Sequence, residues 1–483
     1  MRNRNWKTRF YSVLTAAAIS FGMMSAAPVS VGNAADFKQG DCNGDGALND
    51  EDTQYLLDAL VGKKAIENLS AGADMDANGS INAIDLVLLR DYLKNYKPNV
   101  TLLIYQCGSD LESGSNEATD DLLEMLTADY SSKNLTLVLE TGGSNQWFNT
   151  VSRSDANYRI TVENNELLTK KISDKPKNMG DSKTLLDFIN EETKLHPADR
   201  YGLILWNHGG GPLLGVCFDE QTNDNLLLPE VTEALEKCGK HFDWIGFDAC
   251  LMGSFEVAYA LRNYADYLVA SEEAESGFGW YYTDYISEWS NHTDIPTKDL
   301  VTKIVDDTIN FNQRANSQFT LAAYDLSKVQ PMMDALTLYI EDVVNSVRTN
   351  GVVNLKEHRS RAVDFGDNQY DLVDISSMMT AFPTSHSANV MNAFSNLVIY
   401  SREYMKQGAT GMSFWFPEYF PEDYLYLDYV FPPIGINAEY TKMMKAIAKS
   451  WASGRIVMGS EDVVRTDPII QVGLEQLRKL MNE

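Results

Sequence analysis

The sequence predicts an α/β fold, a mainly parallel sheet flanked by helices on both faces, preceded by a small helical region. Three observations carry this expectation. After Lys97-Pro98, short unbroken apolar runs bounded by turn residues recur: TLLIYQCG from Thr101, LTLVLETGG from Leu135, GLILWNHGGG from Gly202, WIGFDAC from Trp244 and YLVASEE from Tyr267. Apolar runs that do not alternate mark strands buried on both faces. Segments of helical pattern lie between them (116–128, 182–194 and 229–238), and strands alternating with helices are the signature of parallel strand–helix–strand units. Ahead of them stand two twelve-residue loops rich in oxygen side chains, each followed by an apolar helical stretch.

The chain of 483 residues is long enough for more than one domain. It opens with Arg2, Arg4, Lys7 and Arg9, an apolar stretch over 10–24, and small residues at Gly32 and Ala34. That is the pattern of a secretory signal peptide cut near Ala34, which sets residues 1–34 apart from the fold. The stretch is short for a membrane span, and no other run is long enough to cross a bilayer. Residues 35–483 carry 36 basic and 68 acidic side chains, a formal charge of −32 against −28 for the whole chain. So negative a field repels nucleic acid and anionic membranes, and favours calcium or cationic substrates. Five cysteines are too few for a disulfide scaffold at this length, and their odd number leaves at least one free thiol in an exported chain.

The two loops read DCNGDGALNDED (41–52) and DMDANGSINAID (74–85). Side-chain oxygens occupy positions 1, 3, 5, 9 and 12: Asp41, Asn43, Asp45, Asn49 and Asp52, then Asp74, Asp76, Asn78, Asn82 and Asp85. Position 7, Ala47 or Ser80, offers its backbone carbonyl, and a glycine at position 6 permits the sharp turn that aims alternate residues at one hard cation such as calcium. Two such loops offset by 33 residues, each leading into an apolar helical stretch, are not a chance match. Position 12 is aspartate, and no helix leads into the first loop. The duplicated loop–helix unit resembles a type I dockerin over residues 38–97. The resemblance implies folding around two calcium ions and docking to a cohesin domain of a scaffold protein, as in cellulosomes. Loop positions 10 and 11, which dockerins use in partner choice, are Asp50-Glu51 in one repeat and Ala83-Ile84 in the other, so the two faces differ.

In open α/β sheets, ligands bind beyond the carboxyl ends of the strands. His208 follows the run 203–206 at that end, and Cys250 stands at the same end of 244–247. If the two strands are neighbours, imidazole and thiol meet above the sheet edge, where the imidazole can help ionise the sulfur and return its proton to a leaving group. Gly209 and Gly210 then let a substrate backbone approach, and an N–H there can share a developing oxyanion with the N–H of Cys250. A zinc site is the rival use of the two residue types, but no second pair at ligand spacing accompanies them.

The stretches NHGG at 207–210 and DACLMG at 248–253 are similar to the two signatures of the clostripain family of cysteine peptidases. TLLIYQCGSDLE, SEEAESGFGWYY from Ser271, TLAAYDLSKV from Thr320 and GATGMSFWFP from Gly408 extend the likeness over residues 99–454, leaving 455–483 as a partly helical tail. The resemblance implies a caspase-like fold and cleavage after Arg or Lys, with His208 as general base, Cys250 as nucleophile and Asp248 receiving the basic side chain. No cofactor is implied for the chemistry. Two residues apart on an extended chain, Asp248 and Cys250 point to one side; the competing role for Asp248 is to orient His208. Glu273, with Glu272 and Glu275, is a further candidate for the pocket wall. Members of the family can activate themselves by cutting after a basic residue between the histidine and cysteine strands. Residues 209–236 hold no Lys or Arg, which leaves Lys237 and Lys240 as the sites for such a cut and points to a single-chain enzyme. The expectation is a secreted, scaffold-tethered endopeptidase. Its rivals are a silent recognition protein of the same fold and an amidase or transpeptidase using the same pair.

Overall fold

The computed structural model describes residues 38–46, 48–453 and 465–481. The proposed signal peptide and Ala47 lie outside the described residues. The chain divides into two compact units, Met1–Lys94 and Asn95–Glu483.

In the first unit, helices Asp50–Leu60 and Ala83–Asn95 follow the two loops. Asn49 caps the first helix by accepting from Glu51 N, and Asp52 bonds back to Asn49 N at 3.0 Å, so both orphan ends of the first turn are satisfied. Cys42, Leu56, Ala73, Leu86 and Leu89 form the small core.

The second unit is built on a nine-stranded sheet. Its strands are β1 Val100–Cys107, β2 Leu135–Gly142, β3 Tyr158–Glu163, β4 Glu166–Lys171, β5 Arg200–Trp206, β8 Phe242–Asp248, β9 Ala265–Ala270, β10 Phe319–Asp325 and β13 Val398–Tyr404. Between them in sequence lie the hairpin β6 Val216–Asp219 with β7 Asp224–Leu226, and a small sheet of β11 Asp364–Phe365, β12 Leu372–Asp374 and β14 Ser413–Trp415. The spatial order is β13-β10-β9-β8-β5-β1-β2-β3-β4. The five central strands are parallel, as expected, and antiparallel strands close both edges. The edge pair β3–β4 was not legible because Glu166–Lys171 is exposed throughout and carries no buried pattern.

Alternate residues of the central strands feed two cores. Leu103 and Tyr105 of β1, Leu203 and Leu205 of β5, and Ile245 and Phe247 of β8 enter one. Leu102, Ile104, Ile204, Trp206 and Trp244 enter the other. Both faces being covered is why these strands read as unbroken apolar runs. Helix Pro468–Leu480 is an integral part of this unit: Ile470, Leu474 and Leu477 are buried in the first core, and a Cβ at Gly473 would meet Leu214 at 2.9 Å. Among the described residues no helix is long and apolar enough to cross a membrane.

Candidate functional site

Strands β5 and β8 are hydrogen-bonded neighbours in parallel register, with Trp206 opposite Asp248. Two residues beyond that pair on each strand stand His208 and Cys250. Both line one cavity of about 170 Å³, together with Glu117, Asp121, Asp248 and Glu275.

The histidine is held from three sides. The Asn207 side chain before it is buried, donating to Cys107 O at 2.8 Å and accepting from Phe218 N at 2.6 Å. The imidazole stands edge-on to Phe218 at 6.5 Å. Its Nε2 lies 2.9 Å from Asp110 Oδ1, and the bond to His208 pulls the Asp110 carboxyl down to about 2. Asp110 follows the carboxyl end of β1, the strand on the other side of β5. The strand-end rule applied to β1 as well would have found it.

Cys250 keeps partial exposure, while Glu275 N donates to its Sγ at 3.2 Å. Burial, then the neighbouring Glu275, pushes the thiol up to about 12. The expectation of an ionised sulfur is therefore corrected for this conformation: apolar packing and surrounding acids both favour the neutral thiol.

The glycines divide. A Cβ at Gly209 would stand 2.0 Å from Cys250 O, so glycine is required for the two strand ends to approach. Gly209 N and Cys250 N meet no acceptor among the described residues, whereas Gly210 N donates to Gly215 O at 2.8 Å. Gly210 is thus corrected as an oxyanion donor, because the turn into β6 uses its N–H.

The inner wall of the cavity is acidic. Trp206 Nε1 donates to Asp121 Oδ2 at 2.7 Å, and Tyr282 OH donates to Asp248 Oδ2 at 2.6 Å. A Cβ at Gly279 would lie 3.2 Å from Asp121 Oδ2 and 3.4 Å from Asp248 Oδ1, so the two carboxyls converge on one point. Burial raises Asp248 to about 6. Asp121 and Glu275 are also raised, by burial first and then by Asp248. Glu117 rises to about 7, chiefly through burial. Among the described residues no Lys or Arg forms an ion pair with any of these four. Glu273, by contrast, is paired with Lys406 and accepts from Gly366 N at 2.9 Å, and Glu272 accepts from Gly411 N at 2.7 Å. Glu273 is therefore corrected as a wall residue: its carboxyl is buried in the protein and neutralised there, and of the three acids after β9 Glu275 lines the cavity. Cys107 and Cys217 are fully buried beneath the edge and do not line it.

In the first unit, Asp74, Asp76 and Asp85 each bring one oxygen within 4.8 Å of the others. Calcium–oxygen distances of about 2.3 to 2.6 Å place opposite ligands about 5 Å apart, so the donor set fits a hard cation. Asn78, Ser80 and Asn82 lie on the same loop, where Gly79 takes φ +81 at the turn. In the first loop Asp41 is turned onto the N–H groups of Gly44 and Gly46, at 2.7 and 2.9 Å, and Asn43 Nδ2 donates to Asp45 Oδ2 at 2.7 Å. Asp52, at position 12, is buried like Asp85.

Residues 104–428 match the model of the clostripain family, and residues 39–94 match that of the type I dockerin domain. Clostripain of Hathewaya histolytica is 25% identical over 401 residues, covering 67% of this chain and 76% of that protein. Two solved structures share the fold at a TM-score of 0.53. One is an inactive zymogen of a C11 protease from Parabacteroides distasonis, 21% identical, covering 67% of this chain and 93% of its own. The other is a secreted C11 cysteine protease from Bacteroides thetaiotaomicron bound to an irreversible peptide inhibitor, 20% identical, covering 66% and 93%.

Proposed function

The chain belongs to the clostripain family of cysteine peptidases and carries a type I dockerin, and from that premise we propose a secreted endopeptidase that cleaves after Arg or Lys through His208 and Cys250. The observation that carries the reading is the cavity itself, which joins a thiol and an imidazole to four acids that have no Lys or Arg ion pair among the described residues. Where a carboxylate is this buried, leaving it unpaired is costly, and an incoming guanidinium or ammonium relieves it. Asp248 receives the basic side chain, with Asp121 and Glu275 beside it. The acid on the imidazole being Asp110, the orienting role for Asp248 is set aside.

The basic side chain held in the acidic pocket brings the scissile carbonyl to Cys250. The thiol proton passes to His208 as sulfur attacks the carbonyl carbon, so thiolate forms only with substrate in place. The N–H groups of Gly209 and Cys250 receive the oxyanion. The carbon–nitrogen bond then breaks, His208 protonates the leaving amine, and water activated by the same imidazole hydrolyses the thioester. The dockerin binds two calcium ions through the loops 41–52 and 74–85 and tethers the enzyme to a cohesin-bearing scaffold. The enzyme works as a single chain.

The test compares wild type with Cys250→Ala on Arg, Lys and neutral peptide reporters. Cleavage of the basic reporters alone, lost in the variant, is the expected result. Equal rates in the two proteins discard the assignment, and thiol reactivity without cleavage of basic reporters favours the amidase or transpeptidase.

A further inference from the structure

We propose that Asp110 is a positioning residue for His208: its carboxylate holds the Nε2–H tautomer, which leaves Nδ1 as the atom that takes the proton from Cys250. The inference rests on the His208–Cys250 reading and deepens it. A neutral imidazole carries one proton, and a nitrogen whose hydrogen-bond partner can only accept must be the one that keeps it. Asp110 Oδ1 lies 2.9 Å from Nε2 and, ionised, can only accept. Nε2 is therefore the protonated nitrogen, and the lone pair is on Nδ1. Asp110 does not line the cavity, whereas His208 does, so the acid acts from the outer side of the ring.

The placement of Asp110 is built rather than incidental. Ser109 takes the left-handed region at φ +50, a conformation costly for a residue with a Cβ. That kink turns the chain out of β1 into helix Ser109–Ser115 and sets Asp110 in its first turn. Ser109 Oγ donates to Asp110 Oδ1 at 3.0 Å, and Ser144 Oγ donates to Ser109 O at 2.8 Å, fixing the kink against the end of β2. On proton transfer the S–H bond breaks and an Nδ1–H bond forms. The imidazolium then holds both protons, with Asp110 against Nε2 and the thiolate at Cys250. Asp110 stabilises that cation without exchanging a proton. The other acids around the ring and cavity, Glu117, Asp121, Asp248 and Glu275, also favour it. Because the Asp110 side chain is 66% exposed, solvent screens the pair and the effect is graded.

The experiment measures kcat and KM against pH on an Arg reporter for wild type, Asp110→Asn, Asp110→Glu and His208→Ala, with the imidazole tautomer of wild type read by ¹⁵N NMR. Asp110→Asn is expected to lower kcat about tenfold, less than the roughly 10²–10⁴ of general-base catalysis itself because solvent screens the pair, with KM within about twofold. Asp110→Glu recovers part of the loss. In wild type His208 carries its proton on Nε2. An Nδ1–H tautomer, which is read without any variant, overturns the proposal, as does an Asp110→Asn profile that superimposes on wild type. If His208→Ala is inactive while Asp110→Asn is normal, only the role of Asp110 fails. If His208→Ala is fully active, the His208–Cys250 reading fails and this proposal with it.

Discussion

Asp248 and Glu117 show how one cavity sets two different carboxyls against the solvent. Both are raised, to about 6 and about 7, by burial above all. A carboxyl raised in the folded state binds its proton more tightly there than when unfolded. The stability it contributes is present below the unfolded value and is lost as pH rises through the folded one. For Asp248 that window runs from about 4 to about 6. Asp248→Asn, which cannot ionise, is therefore expected to raise the melting temperature more at pH 7 than at pH 5. Calorimetry at the two pH values checks it, and an equal shift contradicts it. The same variant raises KM for Arg and Lys reporters by about tenfold or more, the value of a charge-assisted hydrogen bond. Glu117 gains its charge as pH passes about 7, so KM for an Arg reporter falls between pH 6 and pH 8. In Glu117→Gln that fall is expected to shrink, and steady-state kinetics across the range decide it. Of these residues Asp248 was legible in the sequence through the likeness of DACLMG to the family signature, with its spacing of two from Cys250 in agreement. Asp121 and Glu117 were not, because they sit on helix Glu117–Leu126, where an acid resembles any solvated helix position.

Elements decide how closely those residues meet. The ends of β5 and β8 touch backbone to backbone at Gly209, where any side chain would enter the Cys250 carbonyl. Gly209→Ala is accordingly expected to abolish peptidase activity while the protein remains folded by circular dichroism; full activity in that variant would show that the strand ends can part. On the far side of the same loop, helix Pro468–Leu480 packs Leu474 and Leu477 into the core that also holds Leu213 and Leu214. Leu477→Ala is expected to cost about 2 to 5 kcal/mol, the range for truncating a buried leucine, as measured by urea denaturation. A loss below about 0.5 kcal/mol, the size of an ordinary surface substitution, would mean that the helix is not part of the core. Its apolar spacing was legible, but its inclusion in the second unit was not, since a helix's own periodicity says which face is buried and not against what.

At the scale of the whole molecule, two compact units with separate cores predict two unfolding transitions in the full chain. The transition of the first unit is expected to depend on calcium, because Asp74, Asp76 and Asp85 are drawn together as carboxylates that repel one another until a cation joins them. Chelation followed by calorimetry checks this: the smaller transition is expected to be lost, and a smaller transition unchanged by chelation would refute the dependence. Local pattern sufficed for the two oxygen-rich loops and the apolar strands, and it put His208 and Cys250 at strand ends, because periodicity, loop spacing and strand ends are properties of short stretches of chain; that the two ends are neighbours came from the fold. Strand order is not such a property. Placing β1 beside β5 carries Asp110 across 98 residues of sequence to the imidazole. The packing behind β9 engages Glu272 and Glu273 inside the protein and leaves Glu275 to the cavity. Those outcomes belong to the tertiary structure alone, since the charge a carboxyl meets depends on which elements fold against it.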